Sequence, residues 1–469
     1  MEKKKQKPTF LQSIIPLFAV AVFLGIGYGI YHLNVEILLI AAAAVAAFIG
    51  LRLGYSYKEM ENGFIKSMMK GMPAMLIVIV VGTIIGSWIA CGTIPMLIYY
   101  GLKIISPQYF LVTASLVCSI ISVVTGTSYG TVGTLGVAFM GIAHGLGIPL
   151  GQAAGAIVAG AYFGDKLSPF SDTTNLAPIA AGSNLYDHIK HMLWTTAPAW
   201  ILGLVVYFFL GFHTLHAGNV SLVKTEMIMQ TIQSNFTFSW WLLLPPAITL
   251  FSAVFKKPII PNMLLSSLVA VIFAIVFQHT NLTASIATMA TGFAAHTGQP
   301  MVDELLSRGG MSSMMHVTLI AFAAFAFGGI LQVTGMLDVI LERLLKVAHT
   351  RGKLIVSSVF ASIATAFMTG SSYLSILIPG ELFAPAYKKL NLAAKNLSRT
   401  TEDSGTVIVP LVPWSIAGVF MAGTLGVDTI DYAPWAIMCY TGFIFAIIYG
   451  FTGFAIAPRI REDETIQGS

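Results

Sequence analysis

Charge is what this chain has least of. Asp, Glu, Lys and Arg make up 10% of its 469 residues against 56% hydrophobic ones, where soluble domains carry about one-quarter charged residues. A soluble enzyme or binding module is excluded on that ground. Cysteine is nearly absent too: Cys91, Cys118 and Cys439 stand singly in apolar segments without CxxC spacing, so neither a disulfide framework nor a zinc site is indicated. The apolar stretches lack short period-two alternation, which argues against an outer-membrane barrel. The formal charge of +5 comes from scattered residues rather than a basic stripe, so no nucleic-acid partner is expected.

What remains is an all-α polytopic membrane protein with room for about ten to thirteen spans or half-spans. The apolar run Phe10–Tyr31 follows Lys3, Lys4, Lys5 and Lys7, and a second span, Val35–Gly54, comes after almost no loop. That reads as an uncleaved first span and not a signal peptide. Lysines before it, and Arg52, Lys58, Lys66 and Lys70 after the second span, place both flanks in the cytoplasm. Tyr55–Lys70 reads as an amphipathic surface helix or a plain charged loop, followed by a span from Pro73 to Cys91 that breaks near Gly92 and Pro95.

Polar residues concentrate where they are most costly. No Asp, Glu, Lys or Arg occurs from Ile104 to Gly164, and the stretch Gly164–Pro178 then brings Asp165, Lys166, Ser171, Asp172, Thr173, Thr174 and Asn175. A carboxylate at the bilayer centre costs on the order of 2.5–3.5 kcal/mol, so it persists where it lines a cavity or meets a cation. Asp172 is therefore expected at membrane depth, among hydroxyl and amide oxygens of the kind hard cations prefer. Pro169 and Pro178 bracket the stretch and free main-chain carbonyls as further ligands.

The chain repeats itself. Gly86 and Gly92 return as Gly329 and Gly335, and Thr125-Gly126-Thr127-Ser128-Tyr129 returns as Thr369-Gly370-Ser371-Ser372-Tyr373, offsets of 243 and 244 residues (335 minus 92; 369 minus 125). Asp172-Thr173-Thr174 with Pro178 is matched to Asp403-Ser404-Gly405-Thr406 with Pro410 at the shorter displacement of 231 to 232 (403 minus 172; 410 minus 178). The organisation read from this is a tail and first span (1–34), a first transporter repeat (35–212), a connector with a linking span (213–258), a second repeat (259–457) and a C-terminal tail (458–469). Paired broken helices in matching places of two halves point to a carrier site near the midplane.

The Gly164–Pro178 segment, the Thr-Gly-Ser/Thr-Ser-Tyr motif and Thr400-Thr401-Glu402-Asp403-Ser404-Gly405 resemble the NhaC family of bacterial sodium/proton antiporters, over nearly the whole chain. That family also holds exchangers of malate and protons for sodium and lactate. The resemblance implies two inverted repeats, each with a re-entrant hairpin and a broken helix, in a bacterial inner membrane. It places cation ligands among Thr125, Thr127, Ser128, Asp172, Thr173 and Thr174, with Thr369, Ser371, Ser372, Asp403 and Ser404 in the second half. Na+ and H+ are then the cargo, small carboxylates such as malate or lactate are the alternative one, no cofactor is needed, and a homodimer is an open expectation.

The coupling chemistry follows from one carboxylate serving two ions. Desolvation favours the neutral acid and a bound sodium ion favours the carboxylate, so each displaces the other at Asp172 or Asp403. Asp165 and Glu402 are further proton-carrying candidates, and Asn175, Lys166 and Arg399 are candidates for meeting a substrate. Against these stand plainer readings: a helix-end salt bridge for Asp165 and Lys166, and a solvated loop acid for Glu402. A hydrolase is the rival class because Gly126-Thr127-Ser128-Tyr129-Gly130 matches GxSxG, but the strand-to-helix elbow that gives the motif meaning is missing. A channel is the nearer rival, and buried acids tied to a repeat favour a carrier over it.

Overall fold

A computed structural model of the chain describes residues 5–216, 222–255 and 257–458. Lys3, Lys4, Asn219 and nearly all of the C-terminal tail fall outside the described residues. Among the described residues the fold is helical, with eight helices long and apolar enough to cross a membrane, or up to eleven if each of three bent pairs counts as one span. Large apolar side chains such as Leu11, Phe18, Ile120, Phe209 and Ile272 are exposed on its flanks, as suits a lipid solvent.

The first half runs α1 (Phe10–Tyr28), α2 (Val35–Arg52), α3 (Tyr57–Ala90), α4 (Thr93–Ile104), α5 (Phe110–Thr125), α6 (128–146), α7 (Leu150–Leu167), α8 (Asp172–Ala181) and α9 (Leu185–His216). Two linking helices, α10 (Leu222–Asn235) and α11 (Leu244–Val254), meet at a bend of 107°. The second half comprises α12 (Ile259–Gln278), α13 (Leu282–Thr291), α14 (Pro300–Leu306), α15 (Met314–Val333), α16 (Met336–Lys346), α17 (Arg351–Thr369) and α18 (Ser372–Lys389). It closes with α19 (Ala394–Leu411), α20 (Ile416–Leu425), α21 (Thr429–Trp435) and α22 (Met438–Thr452). One expectation is corrected at once: Tyr55–Lys70 is no separate surface helix or loop. It belongs to α3, a single 34-residue helix that starts at a Ser56–Glu59 capping box and carries Pro73 inside it.

The helices recur at one spacing. Helices α4 and α16 both follow a left-handed glycine, Gly92 and Gly335, and start 243 residues apart (336 minus 93). Helices α5 and α17 both end on such a glycine, Gly126 and Gly370, 244 apart (370 minus 126). The same 244 separates α7 from α19 (394 minus 150) and α8 from α20 (416 minus 172). A second correction follows from this register. The structural counterpart of Asp172 is Ile416 and not Asp403, because Asp172 opens the helix after a break whereas Asp403 lies nine residues before the corresponding break (412 minus 403).

Within each half the two breaks touch. Gly126, at φ +69°, lies so close to the Phe170–Ser171 turn that a Cβ there would stand 2.7 Å from Phe170 Cβ. In the second half the Gly370 carbonyl accepts the Ile416 N–H at 3.1 Å, and a Cβ on Gly370 would stand 3.3 Å from Ser415 Cα. Small residues permit the approach of the flanking helices: Gly160 and Gly164 of α7 sit against the Ser115 and Ser119 carbonyls of α5.

Candidate functional site

The site grows from the turn between α5 and α6. Gly126 ends α5, and Thr127 caps the next helix by accepting the Gly130 N–H at 3.2 Å. Ser128 then presents a free main-chain N–H and a hydroxyl at a helix N-terminus, where a carboxylate is favoured. Asp165, near the end of α7, takes both: its Oδ2 accepts from Ser128 N at 3.2 Å and from Ser128 Oγ at 2.7 Å. The Thr174 hydroxyl bridges the α7–α8 break by donating to the Asp165 and Lys166 carbonyls at 3.1 and 3.0 Å.

The next residue carries the contact between halves. Lys166 is fully buried and pairs through Nζ with Oδ1 of Asp403, itself fully buried in α19. Helix α22 comes in at Gly442, where a Cβ would lie 3.4 Å from Asp403 Oδ1 and 3.8 Å from Lys166 Nζ. Here α19 widens into a π-turn over Glu402–Thr406, a distortion frequent at functional sites. Glu402 is 0% exposed, so it is no solvated loop acid. The Thr173 and Thr406 side chains neighbour its carboxylate, yet neither Glu402 oxygen, nor Asp403 Oδ2, nor Thr406 Oγ1 meets a partner in hydrogen-bond geometry. Buried oxygens without partners are costly, and here they are gathered at one turn.

The remaining candidates divide. Asp172 is exposed rather than buried in protein: it opens α8 and accepts a bond from the Tyr373 hydroxyl of α18 at 3.3 Å. Thr173 and Thr174, beside it, are buried and point inward. Asn175 closes the break by donating to the Pro169 and Ser171 carbonyls. In the second half Thr369 and Ser404 bond back to the Thr365 and Thr400 carbonyls of their own helices at 2.7 and 2.6 Å. Ser371 caps α18, and the Ser372 carbonyl accepts the Ser375 hydroxyl. Thr125 Oγ1 is buried and unpartnered beside an apolar recess shared with α3, α11 and α12. Arg399 is fully buried one turn before Asp403 and donates from Nη1 to the Ala455 carbonyl at 2.8 Å.

Two contributors had not been singled out from sequence. Tyr373 was noticed only as part of the repeated motif, and Gly442 carries no signal beyond being a glycine in an apolar run.

A model of the Na+/H+ antiporter family matches residues 160–454, the interval that holds Lys166, Glu402 and Asp403. The chain belongs to this family. It is 46% identical to an uncharacterised Na+/H+ antiporter of Haemophilus influenzae over 97% of this chain and 98% of that one. The Na+/H+ antiporter NhaC of Alkalihalophilus pseudofirmus is 39% identical, with 90% and 91% covered. A malate-2H+/Na+-lactate antiporter of Bacillus subtilis is 37% identical, with 96% of each chain covered. The resemblance read from the Thr-Gly and Asp-Thr-Thr motifs is borne out as NhaC-type. No group of three or more His, Cys, Asp or Glu side chains suited to a transition metal occurs among the described residues; sodium needs none, since hydroxyl, carbonyl and carboxylate oxygens serve hard cations.

Proposed function

We propose that the chain is a secondary active antiporter that exchanges Na+ for H+ across the bacterial cell membrane. The observation that carries this reading is the Glu402–Asp403 pair, two buried carboxylates at a π-turn with three of four oxygens unpartnered. Sodium as substrate would be held by these oxygens with the hydroxyls of Thr173 and Thr406. A protonated acid needs no cation, and an ionised one in that setting does. Sodium and proton then exclude one another at the same oxygens, and movement of one half against the other exposes them to alternate sides.

Lys166 gives the site its second state. With no cation bound, its ammonium neutralises Asp403 and ties the halves together. A cation arriving at Asp403 competes with that ammonium for Oδ1. Asp165, anchored by Ser128, fixes the end of α7 from which Lys166 reaches across.

The basic flank of the first spans supports a cytoplasmic N-terminus. Its Lys5 pairs with Glu59 at the start of α3 and its Lys7 with Glu342 in the second half of α16, so these segments share the side of that flank.

Sodium-coupled carboxylate exchange is the second reading, favoured by the similarity to the malate/lactate antiporter. The test is sodium-triggered proton movement in proteoliposomes containing only this protein, with and without malate and lactate on opposite faces. Sodium alone moving protons is the expected outcome. Movement only in the presence of an organic acid would transfer the assignment to carboxylate exchange, and no movement under any condition would end the sodium-coupled reading.

A further inference from the structure

The geometry points to Arg399 as a second, intrahelical partner for Asp403, a positioning residue that receives the carboxylate whenever Lys166 releases it. The inference rests on the two-half movement proposed above. It starts from an imbalance in the observed pairing. Asp403 uses only Oδ1 toward Lys166, and its Oδ2 has no hydrogen-bond partner. Arg399 is fully buried, donates once, from Nη1 to the Ala455 carbonyl, and leaves Nε and Nη2 without partners. The two residues stand four apart on α19, the spacing that puts side chains on one face of a helix, and Asp403 lies within electrostatic reach of the guanidinium.

Among the described residues, the groups around Arg399 offer it no other acid. Tyr449 of α22 lies beneath the guanidinium at 6.0 Å, Tyr387 of α18 faces it, and His191 of α9 is occupied with Asn396 at 3.0 Å. Among the described residues, Asp403 is the carboxylate that acts on it electrostatically.

A buried Lys166–Asp403 pair joining two halves would resist any motion that parts them, because each ion would be left bare in a low-dielectric interior. A partner that travels with Asp403 on the same helix removes that cost for the acid. The π-turn over Glu402–Thr406 supplies the play: α7, its counterpart, is regular α-helix from Leu150 to Leu167, and a turn with an extra residue can re-form as α and reorient the side chains it carries.

The test is a double-mutant cycle between Lys166 and Arg399, which the structure places in different halves with Asp403 as their common neighbour. Thermal unfolding of the full-length chain in detergent is measured for Lys166→Gln, Arg399→Gln and the double variant, each also with Asp403→Asn. The double variant is expected to lose more than the sum of the single losses, and Asp403→Asn is expected to abolish that excess. If the double variant fails to fold, restoring the charge as Lys166→Gln with Arg399→Lys is expected to recover folding, and failure to recover it counts against the assignment. Proton flux driven by sodium is read in parallel: Arg399→Gln slows turnover about tenfold, a 1.4 kcal/mol barrier change, with sodium half-saturation unchanged, and Arg399→Lys restores most of it. Additive unfolding losses, or turnover untouched by Arg399→Gln, would overturn the assignment. Absence of sodium-driven flux in the unmutated chain would instead count against the proposed function, and the unfolding cycle would still report on the pairing.

Discussion

Lys166 and Asp403 lie 237 residues apart and form one buried ion pair across the two halves of the molecule. Neither has a charged counterpart in the repeat. At the spacing of 244, Lys166 answers to Pro410 (410 minus 244 is 166) and Asp403 to Ala159 (403 minus 244 is 159). The helix ends recur at that spacing but this pair of charges does not, and the proposed mechanism accordingly uses one coupling centre and not one per half.

The Asp165 carboxylate accepts the Ser128 hydroxyl at 2.7 Å, with the Ser171 hydroxyl beside it. Ser128→Ala keeps the main-chain N–H but removes that donor, at a cost of about 1.5–3 kcal/mol for a bond to a charged group. Transport is expected to fall about tenfold or more with normal membrane expression, and Ser128→Thr to retain more of it. An unchanged rate would show that Asp165 needs no anchor. Because loss would leave residual flux instead of none, the same variant also separates an anchoring hydroxyl from a nucleophile.

Asp172 is exposed and Glu402 is not. Asp172→Asn is therefore expected to keep antiport and raise sodium half-saturation by at most about fivefold, the scale of an exposed charge. Glu402→Gln is expected to abolish sodium-dependent proton movement. The reverse ranking, measured on the two variants in the same proteoliposome assay, would return the coupling role to Asp172.

Gly442 tests the crowding at the ion pair. A Cβ there would be in ordinary van der Waals contact with Asp403 and Lys166, at 3.4 and 3.8 Å, so Gly442→Ala is expected to transport within about twofold of the unmutated chain. Gly442→Leu has no room beside a close-packed pair and is expected to be inactive.

Much of this was legible in the sequence, and the failures have physical causes. The helix ends at Gly92, Gly126, Gly335 and Gly370 were readable because a left-handed terminus selects glycine. The register of the last motif was misread because acids were paired with acids; Pro169-Phe170-Ser171 and Pro413-Trp414-Ser415 hold the true spacing of 244 (413 minus 169). The position of Asp172 beyond an apolar run said that it lay near the membrane, but which way it faces is decided by α8 starting after a break. The plainer reading of Glu402 as a solvated loop acid fails because Asn396–Asp403 is buried. That burial comes from packing among α8, α9, α17 and α18, partners distant in sequence. Pro73 lies inside α3 without ending it, as transmembrane helices tolerate proline.

In the proposed mechanism sodium and protons compete for the Glu402–Asp403 carboxylates. The direct measurement is sodium half-saturation of antiport in proteoliposomes as a function of pH, at sodium concentrations that reach saturation. Protonation occupies the carboxylates as pH falls, so half-saturation is expected to rise about tenfold per pH unit for each competing proton on the acid side, while the saturated rate holds. Half-saturation that stays constant as pH falls, with only the maximal rate changing, would contradict competition at a shared site.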